Sequence, residues 1–200
     1  MRSLRVLRRP AAAVTALAAA ALALAACSGG GPRVFRGEPP ASEPVTLAAL
    51  PLINLTNQPE AARVVLEQLV VELLRRPDVS LAAPGAVEQA LTELRIRDTG
   101  ALTLDQSRAL GEKLSSAVLL TGTVNDYKQE ADSGRPLPVV SVNLRAVDAA
   151  TGRVVWACAH TRTGSDSETV FGIGRVTSLP DLTSTVVGEM VSTMPRGGRQ

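Results

Sequence analysis

Two nearly continuous apolar segments constrain the fold of this chain more than any other feature. Residues 45–53 (VTLAALPLI) and 117–124 (AVLLTGTV) contain no charged side chain. Strands as apolar as these are buried on both faces, which is typical of a sheet that helices cover on either side. Pro51 cannot donate a hydrogen bond to a β-ladder, so we expect the first strand to end or bulge there.

Helical patterns separate these strands. Asn57 and Glu60 have the spacing of a capping box, which predicts a helix that begins there and runs to about Arg76. The polar stripe of this helix is narrow, so most of its circumference must be covered, either by the sheet or by a second subunit. Thr103 and Gln106 form another capping box and predict the start of a later helix.

The second half of the chain carries a hairpin pattern. Residues 140–148 alternate between apolar and polar, which predicts a strand with one wet face, and Gly152 supplies the turn before a returning strand at 153–163. The other predicted elements are a strand at 79–82, a helix at 84–94, a helix from Ser178 to Pro195, and loops at 128–136 and 164–177. The order β-α-β-α-α-β-β-β-α predicts one α/β (α+β) domain, in which helices pack on a mixed sheet with a C-terminal antiparallel hairpin.

The N-terminus has the pattern of an export signal. Residues 1–10 carry four arginines and no acid, and residues 11–26 are almost all Ala, Leu and Val. This apolar run is shorter than the roughly 20 residues that a transmembrane helix needs. Cys27 follows Leu-Ala-Ala as in the bacterial lipobox, so we expect a lipoprotein signal peptide at residues 1–26 and acyl chains, palmitate among them, on Cys27. An ordinary secretory signal and an uncleaved anchor are the alternatives.

The mature chain would then have three parts. Residues 27–44 are expected to be the lipidated cysteine and a flexible linker, because Gly, Pro and Ser dominate them. Residues 45–194 are the expected domain, and residues 195–200 are the expected disordered tail. Ser28 and Gly29, with no Asp beside Cys27, resemble the start of bacterial lipoproteins sent to the outer membrane, so we expect a lipid anchor on its periplasmic side.

Composition argues against nucleic acid as a partner. Loss of the four signal arginines lowers Lys+Arg from 21 to 17 against 19 acids, so the basic balance of the full chain disappears. Phe, Trp and Tyr together make up only 2% of the chain, which is too few for a platform that stacks bases.

No constellation of catalytic groups is visible. His160 is the one histidine, and it shares a strand face with Cys158, so a Cys–His nucleophile pair is conceivable but packing is the favoured interpretation. One His and one free Cys do not make a zinc site. Gly172 and Gly174 lack the remainder of a dinucleotide-binding fingerprint. We therefore predict a non-enzymatic protein with no catalytic residue, metal site or cofactor.

Three segments carry a family resemblance. Residues 50–57 (LPLINLTN), 117–123 (AVLLTGT) and 140–156 (VSVNLRAVDAATGRVVW) resemble the opening segment, the third strand and the hairpin of envelope proteins of the CsgG, LpoB and TolB N-terminal-domain type. The resemblance implies a mixed α/β sandwich that works by protein–protein contact in the cell envelope. Curli secretion rings of this type carry two long hairpin insertions, and the synthase-activator type carries a long flexible linker, whereas the corresponding segments are short here.

The resulting hypothesis is a periplasmic adaptor, similar to activators of penicillin-binding proteins, that binds an envelope protein partner in assembly or secretion. The expected partner-binding residues lie in the first polar turn and in the loop that precedes the last helix: Asn54, Thr56, Asn57, Phe171 and Arg175. The alternative is a homo-oligomeric ring component of a CsgG-type curli secretion apparatus.

Overall fold

The computed structural model describes residues 30–38, 44–132, 134–168 and 174–196. The strands are β1 (Arg33–Arg36), β2 (Val45–Ala49), β3 (Ile53–Asn54), β4 (Val79–Leu81), β5 (Val118–Asp132), β6 (Arg135–Asp148) and β7 (Val154–Thr163). The helices are α1 (Ala61–Leu74), α2 (Pro84–Glu93), α3 (Leu104–Leu114) and α4 (Leu179–Ser192). All of them belong to one compact unit, Gly31–Gln200.

One mixed sheet organises this unit. Its strand order is β1-β7-β6-β5-β2-β4, and β3 also pairs with β5. β2 is parallel to β4 and β5, and β3 is parallel to β5, since helical segments connect these strands. β5 with β6, β6 with β7, and β1 with β7 are antiparallel. The predicted fold class is confirmed, including the C-terminal antiparallel hairpin.

The central strands are buried on both faces, as their apolar sequences predict. Leu119 packs in a core with α2 and α3, whereas Val118 and Leu120 pack in a larger core with α1 and α4. Leu119 and Leu120 are both fully buried, although they point to opposite sides of the sheet. The two cores therefore fix which face of β5 each helical layer covers.

Several local predictions are confirmed. β2 ends before Pro51 and β3 begins after it, so the first apolar segment is interrupted where expected. The Thr103 hydroxyl accepts from the Gln106 N–H, and the Gln106 side chain accepts from the Thr103 N–H, which completes the capping box of α3. The Ser178 hydroxyl caps α4 by accepting from the Asp181 N–H.

The predicted capping box at the start of α1 is wrong. Glu60, not Asn57, is the N-cap residue, and its side chain makes no capping hydrogen bond. The side chain of Asn54 instead binds the turn, because its amide donates to the Gln58 carbonyl at 2.7 Å and its oxygen accepts from the Thr56 N–H at 3.0 Å. This turn delays the first helical residue to Ala61.

The loop predicted at residues 128–136 is a continuation of the hairpin. β5 and β6 stay paired from Val124 with Val142 out to Asp132 with Arg135. The outer part of this hairpin is exposed on both faces, so the alternation that marks a half-buried strand is missing from its sequence.

The segment expected to be a flexible linker contains β1. Arg33 pairs with Ala159 and Arg36 with Trp156 on the free edge of β7. The Arg36 Nε also donates to the carbonyl of Thr193, at the end of α4, at 3.1 Å. The linker expectation is therefore wrong for residues 33–36, and the folded part begins before residue 45.

Gly122 lies at the tightest approach of β5 to β6. A Cβ there would stand 2.2 Å from the Asn143 carbonyl oxygen and 2.9 Å from Leu144 Cδ2. We expect Gly122→Ala to lower the free energy of unfolding by about 1–3 kcal/mol, because strands or side chains must move apart. Urea unfolding followed by circular dichroism measures this change.

Gly188 provides the matched control, since a Cβ at this position of α4 would meet nothing within 4 Å. We expect Gly188→Ala to raise the free energy of unfolding by roughly 0.5–1 kcal/mol through helix propensity. Equal effects of the two substitutions would contradict the close β5–β6 packing.

Candidate functional site

One face of the sheet is only partly covered. α2 and α3 pack over β2 and the start of β5. In the part of the chain that the structure describes, no helix packs on the same face of β6, β7 and β1. This open face holds a groove of about 590 Å³. Its volume lies within the range that is usual for binding sites, so it is the candidate functional site.

Side-chain size gives the groove its shape. Ala157 and Ala159 of β7 form its floor, since small side chains leave space above the strand. Ala157 pairs with Phe35 on one side and Arg145 on the other, and Ala159 pairs in the same way with Arg33 and Asn143. Longer side chains on β1 and β6 therefore stand on both sides of a channel that runs along β7. Neighbouring strands are about 4.8 Å apart, which puts the two walls roughly 10 Å apart.

A loop between α2 and α3 forms the rim of the groove. The Thr121 hydroxyl donates to the carbonyl of Thr99 at 2.7 Å, and Arg145 Nη2 donates to the carbonyl of Gly100. The Thr99 hydroxyl in turn donates to the Pro51 carbonyl at 2.7 Å. These bonds fasten the rim to β5, to β6 and to the break between β2 and β3, so the groove is bounded by a fixed edge.

The groove is apolar with a positive charge. Phe35 is 55% exposed and is one of the few large hydrophobic side chains that face solvent. Arg33 and Arg145 line opposite walls, and the described lining residues include no carboxylate. A surface of this kind suits a partner that brings both an apolar group and a negative charge.

The reverse face of β7 is closed by α4. Cys158 and His160 share this face as predicted, but both are buried. His160 Nε2 lies 2.5 Å from Glu189 Oε2, and Arg162 Nη1 donates to Glu189 Oε1 at 2.5 Å. Histidine and cysteine thus have separate partners, which supports packing over a nucleophile pair. Burial raises the pKa of the Cys158 thiol, and a hydrogen bond with Thr193 opposes that shift.

The predicted contact residues lie at two separate places. Asn54 is paired with Val124 of β5, whereas Arg175 binds Asp132, eight residues further along the same strand. That separation corresponds to roughly 27 Å along a strand. The structure does not bring the two predicted contacts together. Cys27 and Phe171 lie outside the described residues.

The predicted contact residues that are described have structural partners. The Thr56 hydroxyl donates to the Asn54 side-chain oxygen at 2.8 Å, so both side chains belong to the turn. The Arg175 guanidinium binds Asp132 and Glu168, and its side chain is only 9% exposed. Asn57 is exposed. The role of these residues as contacts stays a prediction.

The groove itself was only half visible in the sequence. The alternation of residues 140–148 places Asn143 and Arg145 on the wet face of β6, where the structure has them. Arg33 and Phe35 carried no comparable signal, because they stand in a segment rich in Gly and Pro. The sequence therefore indicates only that the β6 wall is exposed, and none of the predicted contact residues that the structure describes lines the groove.

Comparison with known proteins gives a family match. Residues 32–160 match the family model described as peptidoglycan-synthase activator LpoB. A search of curated proteins finds no match. The comparisons support the LpoB part of the expected resemblance and do not support the CsgG or TolB part.

Solved structures share the fold. The PelC dodecamer from Paraburkholderia phytofirmans is 22% identical with a TM-score of 0.54, and the alignment covers 82% of this chain and 96% of that one. Lipoprotein GNA1162 from Neisseria meningitidis is 17% identical with a TM-score of 0.54, and covers 74% and 99% respectively. Among the described residues, no helix is long and apolar enough to cross a membrane.

The buried thiol gives a direct test of the reverse face. Because its pKa is raised and its side chain is buried, we expect native Cys158 to resist iodoacetamide at neutral and mildly alkaline pH, and to react once urea unfolds the chain. Mass spectrometry of the alkylated protein measures this. Thr161→Cys, on the exposed face of the same strand, serves as the reactive control. Rapid labelling of native Cys158 would contradict a packing role.

Proposed function

Because the chain belongs to the family of the peptidoglycan-synthase activator LpoB, we propose that it binds a peptidoglycan synthase in the periplasm and activates it. In this proposal the protein is a lipid-anchored adaptor of the outer membrane and not an enzyme. The observation that carries it is the match over residues 32–160, which includes both walls and the floor of the groove. The open sheet face is then the docking surface for the synthase.

The position of β1 limits the distance between the folded domain and the proposed lipid anchor. Only five residues separate Cys27 from Arg33, where β1 begins. Counting the step onto Arg33, they span at most about 20 Å when fully extended. If Cys27 is acylated, the domain is held close to the membrane surface, and the synthase must reach the docking surface there.

The polar turn remains a second proposed contact. Leu55 is 63% exposed and Asn57 is also exposed, so these two side chains are free to touch a partner while Asn54 and Thr56 hold the turn. A ring component of the curli type is not supported by the comparisons and is not proposed. The solved PelC dodecamer shares the fold of this chain.

Cell fractionation tests the proposed lipid anchor. We expect Cys27→Ser to shift the protein from the outer-membrane fraction to the soluble periplasmic fraction, because the thiol is the proposed acylation site. Ser28→Ala, one residue away, is the control and is expected to remain with the membrane. Immunoblots of separated fractions measure how the protein is distributed between membrane and periplasm. Retention of the Cys27→Ser protein in the membrane fraction would contradict the proposed anchor.

Activation is tested with purified components. We expect the mature lipidated protein, mixed in equimolar amount with peptidoglycan synthases of the same bacterium, to bind one of them and raise its rate of glycan polymerisation from lipid II. Biolayer interferometry measures binding, and the consumption of fluorescent lipid II measures the rate of polymerisation. Absence of both binding and acceleration with every synthase would refute the proposed function.

A further inference from the structure

The groove is shaped for one extended polypeptide segment, and its charge selects the kind of segment. Building on the proposed function, we propose that it binds an extended segment of the partner protein that carries an Asp or Glu side chain with an apolar side chain two positions away. The shape of the groove indicates an extended occupant, its charge indicates an acidic side chain, and strand periodicity gives the spacing between the acidic and the apolar side chain.

The shape follows from side-chain size along three strands. The part of the groove between β1 and β6 is one strand wide, because Ala157 and Ala159 both belong to β7, and beyond β6 the groove continues over Thr121 and Thr123 of β5. Walls roughly 10 Å apart leave room for a single chain lying along β7, but not for a helix, whose diameter with side chains is about 10–12 Å. The groove therefore favours an extended occupant.

The charge follows from two arginines without acidic neighbours in the lining. Arg33 makes no ion pair with any described residue, and Arg145 uses one guanidinium nitrogen to hold the Gly100 carbonyl. Guanidinium groups offer five N–H donors in a planar fork that matches a carboxylate. The Asn143 amide on the same wall adds a further donor.

The apolar part follows from Phe35, whose exposed side chain lines the β1 wall. Side chains of an extended segment alternate, so every second one enters the groove. Arg33 and Asn143 flank Ala159, and Phe35 flanks Ala157, two residues away along β7. A carboxylate that reaches Arg33 and an apolar side chain that reaches Phe35 are therefore two positions apart on one segment.

The test uses a displayed library of random octapeptides panned against the mature full-length protein in detergent. We expect the enriched peptides to carry Asp or Glu two positions from an apolar residue. Arg145→Glu and Arg33→Glu are each expected to weaken binding of an enriched peptide by about 10-fold or more, and Ala159→Trp is expected to abolish it by filling the floor. Thermal melting of each variant confirms that the fold is intact.

Arg75→Glu is the matched charge control. Arg75 is an exposed arginine just after α1, and α1 packs against the other core of the sheet, so the same change of charge there is expected to leave the affinity unchanged. Replacing the acid of the enriched peptide by its amide, Glu→Gln or Asp→Asn, is expected to weaken binding as well, but by less than Arg33→Glu, because it removes a charge and does not reverse one.

Several outcomes would overturn the proposal: no enrichment, enrichment of neutral or basic peptides, equal binding by Ala159→Trp, or competition by soluble peptidoglycan fragments, whose stem peptides also carry carboxylates. These outcomes are separate from failure of the proposed function. A protein that activates a synthase through another surface would fail the peptide test and pass the activation test. A protein that binds acidic peptides in the groove but activates no synthase would have a different protein partner there.

Discussion

The pairing of β5 with strands on both of its sides is the constraint on which the rest of the structure depends. Val118–Leu120 pairs in parallel with β2 and at the same time antiparallel with β6. Because Leu119 and Leu120 are fully buried on opposite faces, a slip of one residue would exchange the two cores. The register of β5 therefore determines where α1, α2, α3 and α4 pack, and Gly122 keeps β6 close enough to maintain it.

Helices cover one face of the sheet almost completely and the other face only in part, and the groove lies on the uncovered part. On one face, α1 and α4 cover strands from β2 to β7, with Trp156 bonded to Thr193 and with His160 and Arg162 bonded to Glu189. On the other face, α2 and α3 cover only the parallel half. The open face thus consists of antiparallel strands whose reverse side is rigidly packed. A rigid support of this kind lowers the conformational entropy lost on binding.

The parts of the fold with local signals could be predicted from the sequence. Alternation over residues 140–148, the break at Pro51 and the Thr103 capping box all depend on residues close in sequence, and the structure has each of them. β1 could not be predicted in this way, because its strand pairing joins Arg33 to Ala159, far along the chain. The outer part of the β5–β6 hairpin was missed because both of its faces are exposed to solvent, so its sequence lacks the alternation of a half-buried strand. The groove depends on β1, so only its β6 wall was accessible to sequence reasoning.

Hydrogen–deuterium exchange on the complex with the synthase shows which surface of the domain the synthase covers. We expect slower exchange in β1, in β6 around Asn143 and in β7 around Ala159 when the synthase is added, with no change in α1 or α4. Protection confined to α1, or to the turn that contains Asn57, would contradict docking on the open sheet face.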